Sequence, residues 1–334
     1  MMRLVAALLL LLCAGAARAD LCTASMSNLD FGQVSPIAGG DVQVSASGNV
    51  SCSWTVLQPL PPYLLLLPNV MVCVNVGIGS NSLQANPRTL GAGANRLDYN
   101  LYRDATYSAA AIAGGAGVAG APTPIKLLGS APNLITGGTI NLPFTLYGKI
   151  AAGPGLRAVP TSANGDTVYS SSFAGAASIS YTFYNLIVPS CPGASSGSFS
   201  FQVQATAVNN CTISASPLQF GSGSTLQTVR RSTASLSVQC VNNNAYQIAL
   251  NGGSVAGNPA ARRMRRAGGT ELLSYELSAS LDGPIWGTGS GGTALYSGVG
   301  NGEVVTVPVY GRVPVQSSPT PGDYADTVTA TVYF

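Results

Sequence analysis

Polar and apolar residues alternate along several segments of this chain. Thr327-Val-Thr-Ala-Thr-Val-Tyr-Phe334 places Val328, Ala330, Val332 and Phe334 on one face, and Ser198–Ala207 does the same with Phe199, Phe201, Val203, Ala205 and Ala207. A period of two predicts half-buried β-strands. Val42–Cys52, Met71–Gly77, Ala234–Cys240 and Tyr246–Gly252 read as further strands, with Gly, Pro and Asn between them. The expected fold class is all-β, built as antiparallel sandwiches joined by many turns.

Two apolar stretches depart from that pattern. Leu4–Gly15 follows a short positive start and precedes Ala17-Arg18-Ala19, the layout of a signal peptide over residues 1–19. It is too short to span a bilayer permanently. Leu12 is not the small residue that a lipidation site needs before its cysteine, so Cys13 is expected to leave with the signal. The second stretch is Trp54–Asn69. Its prolines at 59, 61, 62 and 68 exclude a central strand. Yet it carries Leu57, Leu60, Tyr63, Leu64, Leu65, Leu66 and Leu67, an apolar load that is costly to leave in water unless it binds something. The competing reading places Leu64–Leu67 in a buried strand.

A repeat organises the rest. Cys22-Thr-Ala-Ser-Met-Ser-Asn-Leu-Asp-Phe31-Gly32 aligns with Cys211-Thr-Ile-Ser-Ala-Ser-Pro-Leu-Gln-Phe220-Gly221. A second cysteine follows in each copy, Cys52 and Cys240. Arg96–Tyr102 then parallels Glu271–Leu277, and Phe144–Ile150 parallels Val307–Val313, with Tyr-Gly at the same place. Landmarks recurring in one order indicate a duplication. The repeat pairs Cys22 with Cys52 and Cys211 with Cys240, which leaves Cys73 with Cys191. The domains expected are 20–207 and 208–334.

Composition narrows the function. Charged residues are 8% of the chain and the net charge is +3, so there is no electrostatic case for nucleic acid. There is no histidine, which removes His-based triads and His metal ligands. No catalytic residue, metal site or cofactor is expected, and the six remaining cysteines in an exported chain read as disulfides. Arg262–Arg266 is the one charge cluster. It reads as a solvated turn, with contact to anionic membrane or lipopolysaccharide as the alternative. Trp286-Gly-Thr-Gly-Ser-Gly-Gly reads as a turn, because no helix signal follows it to hold phosphate.

Cys–x8–Phe-Gly, Arg263-Met264, Leu273-Ser-Tyr275, Val309-Tyr310-Gly311-Arg312 and the terminal Gly322–Phe334 run resemble the spore coat protein U domain family. The resemblance is close over 211–334 and looser over 20–207. It implies a subunit of an archaic, Csu-type chaperone–usher pilus, with Ig-like domains that lack a last strand and take one from a neighbour. Partners implied are a periplasmic pilus chaperone, an outer-membrane usher and the next subunit, which donates its N-terminal strand. The second domain is then expected to be incomplete, with Val328, Ala330, Val332 and Phe334 beside the acceptor groove. Phe199, Phe201, Val203 and Ala205 are expected to close the first domain from within the chain.

Only Asp20 and Leu21 precede Cys22, so the chain is expected to accept a strand without giving one, which suits the pilus tip. A two-domain member of this family resembles a tip adhesin, exported through the periplasm to the cell surface. Adhesion to abiotic or host surfaces would use the hydrophobic segment 57–67, with inserts 106–124, 151–166 and 187–196 as further candidates. The alternatives are a tip initiator that binds nothing, or a lectin.

Overall fold

The computed structural model describes residues 21–54, 69–130 and 138–334, apart from 164, 185–186 and 195. The expected signal peptide lies outside the described residues. The described chain is all-β, as the alternation predicts, and its strands surround two separate hydrophobic cores.

The first core is enclosed by twelve strands. They are β1 (Leu21–Met26), β2 (Leu29–Val34), β3 (Val42–Trp54), β4 (Asn69–Val76), β5 (Arg88–Ala92), β6 (Asn95–Tyr102), β7 (Ile125–Ser130), β8 (Gly138–Ile150), β9 (Thr167–Ser172), β10 (Ala177–Tyr184), β11 (Gly197–Phe199) and β12 (Gln202–Ala207). One sheet runs β1-β3-β8-β6-β5-β9-β12-β2 and the facing sheet runs β11-β10-β4-β7. Val50, Val74, Leu97, Leu146 and Tyr169 fill the space between them. β4 is buried on nearly every residue, so Val70–Val74 reads as a continuous apolar run.

The second core has ten strands in the same order: β13 (Cys211–Ala215), β14 (Arg230–Cys240), β15 (Ala245–Leu250), β16 (Arg263–Arg266), β17 (Leu272–Ser274), β18 (Glu276–Ser278), β19 (Tyr296–Val299), β20 (Val304–Val313), β21 (Tyr324–Ala325) and β22 (Ala330–Tyr333). Cys22 lies opposite Cys52 across β1 and β3, and Cys211 lies opposite Cys240 across β13 and β14. All three disulfides are formed, Cys73–Cys191 tying β4 to the segment after β10. By constraining the unfolded chain, Cys22–Cys52 and Cys211–Cys240 contribute roughly 3–4 kcal/mol each and the longer-loop Cys73–Cys191 roughly 4–5 kcal/mol.

Register fixes the ends of the first sandwich. Trp54 pairs with Gly138, and Asn69 pairs with both Ser130 and Tyr184. A Cβ on Gly129 would come within 2.9 Å of Ile140, so the two sheets meet at this pole. The opposite pole holds Val42–Ile150 and Thr167–Ala207–Val34. β3 and β8 are each 13 residues long, which sets the poles roughly 40 Å apart. The second domain joins at the Val42 pole. There Val208 N donates to Val34 O, Asn209 N donates to the Asp166 carboxylate, and Arg157 pairs with Glu303 at 2.8 Å.

The arginine cluster is a correction. Residues 263–266 are strand β16, Met264 is in the core and Arg262 is fully buried. Arg262 sends Nε to Asn251 O and Nη2 to Leu250 O and Trp286 O. Arg88 occupies the same place in the first copy, with Nε on Gly77 O and Nη2 on Val76 O and Ala113 O. Its Nη1 reaches Ala85 O and Asn100 Oδ1. A guanidinium has five N–H donors in a rigid fork, so it can stitch several strand-end carbonyls at once. Burial holds its pKa down at about 10 for Arg88, and lowers that of Arg262. Arg88→Met should destabilise the first domain by at least about 3 kcal/mol, because it strands several buried acceptors. Arg262→Met should cost the second domain less, having fewer bonds to lose. Denaturant unfolding read through Trp54 and Trp286 in single-Trp backgrounds measures both; losses under about 1 kcal/mol at either site would contradict the clamp.

Candidate functional site

The two copies differ most at one slot. In the first, β12 lies between β9, to which it is antiparallel, and β2, to which it is parallel. Val203, Ala205 and Ala207 point from it into the core, fully buried. Phe201 stacks on Phe173 with ring centroids 4.4 Å apart, and Phe199 meets Phe144 edge-on. The sequence reads 198–207 as one strand, whereas the structure breaks it at Ser200–Phe201. β11 joins the β10 sheet and β12 joins the other, so the segment crosses between the sheets while keeping both phenylalanines inward.

In the second copy, the counterparts of β2 and β9 are Leu218–Gly221 and β21. β21 pairs with β16 through Ala325 and Tyr324, and among the described residues no strand lies on its other side. Residues 216–229 form no strand. What remains is a groove of about 390 Å³ between Leu218–Phe220 and Tyr324–Ala330, floored by Leu236, Val309, Met264 and Tyr275. Leu29 and Phe31 are 1% and 5% exposed under β12, while Leu218 and Phe220 are only half-buried. Otherwise the setting is duplicated. Phe31 meets Tyr99 edge-on at 6.2 Å, and Phe220 meets Tyr275 edge-on at 6.3 Å. A Cβ on Gly148 would sit 2.9 Å from the Phe31 ring, and one on Gly311 2.9 Å from that of Phe220, which accounts for the repeated Tyr-Gly.

Of the residues expected beside a groove, Val328 and Ala330 line it. Val332 packs on the core and pairs with Ile248, and Phe334 lies on the outer surface with Tyr333, beside the buried Tyr246. Leu218, Phe220, Tyr275 and Asp326 also line the slot; the Leu and Phe of the Cys–x8–Phe-Gly repeat were the available signal. On β16, Arg266 pairs with Glu271 at 2.9 Å, and these bonds hold the Glu271 carboxyl down at about 2.

Leu57, Leu60, Tyr63 and Leu64–Leu67 lie outside the described residues. Segments 55–68 and 131–137 connect residues of the Trp54 pole, and β10 ends there at Tyr184. Insert 106–124 is not a free finger. Ala111, Ile112 and Ala121 form a small core with Ala85 and Tyr102, because side chains this small pack flush against the sheet. Insert 151–166 buries Leu156 and Val159 in the first core and contacts the second domain, Asn242 Nδ2 donating to Ala158 O. In 187–196, Ile187 and Val188 are exposed and Cys191 is bridged. Among the described residues no group of His, Cys, Asp and Glu could hold a metal.

Fold and slot together define a duplicated β-sandwich protein with one closed and one open copy. A family model described as the Spore Coat Protein U domain matches residues 8–170 and 198–331, and the chain belongs to that family. Protein U of Myxococcus xanthus is 43% identical over 108 residues, 30% of this chain and 59% of that protein, so the match spans little more than half of the relative. Among solved structures, the CsuC–CsuE chaperone–tip adhesion subunit pre-assembly complex from the archaic chaperone-usher Csu pili of Acinetobacter baumannii is 14% identical. It aligns at a TM-score of 0.47, covering 94% of this chain and 100% of that one. The CupB6 tip adhesin from Pseudomonas aeruginosa is 12% identical at a TM-score of 0.35, covering 94% and 95%.

Proposed function

We propose that the protein is the tip subunit of a chaperone–usher pilus, whose second domain accepts a β-strand from another polypeptide and whose first domain attaches the cell to surfaces and aids biofilm formation. The observation that carries this is the slot between Leu218–Phe220 and Tyr324–Ala330. The same surroundings in the first domain hold β12. An apolar groove with the free edge of β21 on one flank is suited to strand addition, in which main-chain hydrogen bonds give affinity and alternate side chains fill pockets. Left open it invites aggregation. The occupants proposed are a periplasmic chaperone during export through the outer-membrane usher, then the N-terminal strand of the next subunit.

The tip position is supported by the first domain. Closed by β12, it offers no second acceptor slot among the described residues, and segments 55–68 and 131–137 connect residues of the pole remote from the second domain. Hydrophobic adhesion through Leu57–Leu67 fits that placement. Apolar contact scales with area at about 25 cal/mol per Å², so it favours many surfaces weakly, and many pili add avidity.

A labelled peptide with the sequence of residues 198–207 tests the slot on the full chain. Saturable binding, weakened at least tenfold by Phe220→Arg, is expected; no binding, or equal binding by the variant, contradicts the slot. Deleting residues 57–67 tests the adhesive assignment. Attachment to plastic should fall to the level of cells without pili while piliation persists, and unchanged attachment would sink it.

A further inference from the structure

The crossover Asp326–Thr329, which joins β21 to β22, lines the slot and brings to it the one carboxylate among the lining residues. A strand that covers the slot must desolvate that charge, which is costly unless the oxygens already have partners. They do. Tyr275 donates its hydroxyl to Oδ2 at 2.7 Å, while Ser254 Oγ, Val255 N and Thr327 N donate to Oδ1 at 2.9, 3.1 and 2.8 Å. Backbone bonds continue the brace. Ser254 N donates to Thr327 O, Asn251 N donates to Thr329 O, and Thr329 N donates to Asn251 Oδ1. Burial and the bond to Asp326 together push the Tyr275 phenol up.

The closed domain is held differently. Tyr99, the counterpart of Tyr275, has Ser171 for a neighbour and no carboxylate. The crossover from β9 to β10 is anchored by Phe173, which is fully buried and stacked on Phe201 beside β12. In that domain the strand itself helps to hold the wall of its slot. In the open domain the wall is held by a polar brace that needs no strand.

We propose that Asp326 is a positioning residue for strand uptake: by bridging Tyr275 on the floor to Ser254 and Val255, it keeps the slot's wall in its strand-ready shape before a strand arrives. Ordering paid in advance is not charged to binding, so affinity and association rate rise. This inference rests on the reading of the slot as a strand acceptor.

The test compares the full chain with Asp326→Asn, Tyr275→Phe and the double variant. The probe is a fluorescent peptide of residues 198–207, and the readouts are association rate and Kd, with thermal unfolding followed in parallel. Each single change should slow association about tenfold, and the double should be no slower than the worse single, since both cut one bridge. Tyr99→Phe should leave association unchanged. Tyr275→Phe removes one hydroxyl and keeps the ring, so it reports even where Asp326→Asn fails to fold. Association within twofold of wild type in the single variants, or fully additive losses in the double, would overturn the brace while leaving the slot reading intact. Failure of the unaltered chain to bind the peptide would overturn the slot reading itself.

Discussion

A strand inside a sheet hydrogen-bonds along both edges and covers apolar side chains below it, and β12 does both for the first domain. It pairs with β9 and β2, and its Val203, Ala205 and Ala207 seal Leu29 and Phe31 from water. The second domain repeats the surroundings of that strand down to a glycine beneath a phenylalanine ring, and the position itself is a groove. Two copies of one plan thus differ in whether the slot is filled from the described chain. The difference is local in space and large in consequence, because an uncovered slot exposes both apolar floor and unpaired backbone.

What the copies share explains how an open sandwich keeps its shape. Each has a cross-strand disulfide between its first strand and the long strand beside it. Each also has an arginine whose fork gathers the carbonyls at the end of one strand, Val76 and Gly77 in one copy and Leu250 and Asn251 in the other. The disulfides and Arg88 stand apart from the slot, whereas Arg262 holds the carbonyl of slot-lining Leu250 and accepts at its own carbonyl from Tyr275 N. The bonds around Asp326 add a third anchor found only beside the open groove.

Strand positions and the repeat were legible because alternation and the Cys–x8–Phe-Gly spacing are local signals, and all-β architecture followed. The crossing at Ser200–Phe201 was not, since a pattern with unbroken period two gives no sign that a chain changes sheets. Arg88 and Arg262 were hidden for another reason. Arginine reads as a surface residue, and the backbone carbonyls that hold it carry no sequence mark. Insert 106–124 read as a candidate attachment loop, and small side chains turned out to allow close packing around Ile112. The groove was half legible. Val328 and Ala330 line it, but the strand's alternation continues to Phe334, which lies on the outer surface.

Hydrogen exchange on the full chain tests most directly whether one slot is closed and the other open. Amides of Leu29–Val34 and Thr167–Ser172 should be strongly protected, while those of Leu218–Gly221 and Tyr324–Ala325 exchange much faster and become protected when a 198–207 peptide is added. Equal protection of the two sets in the chain alone would contradict the account.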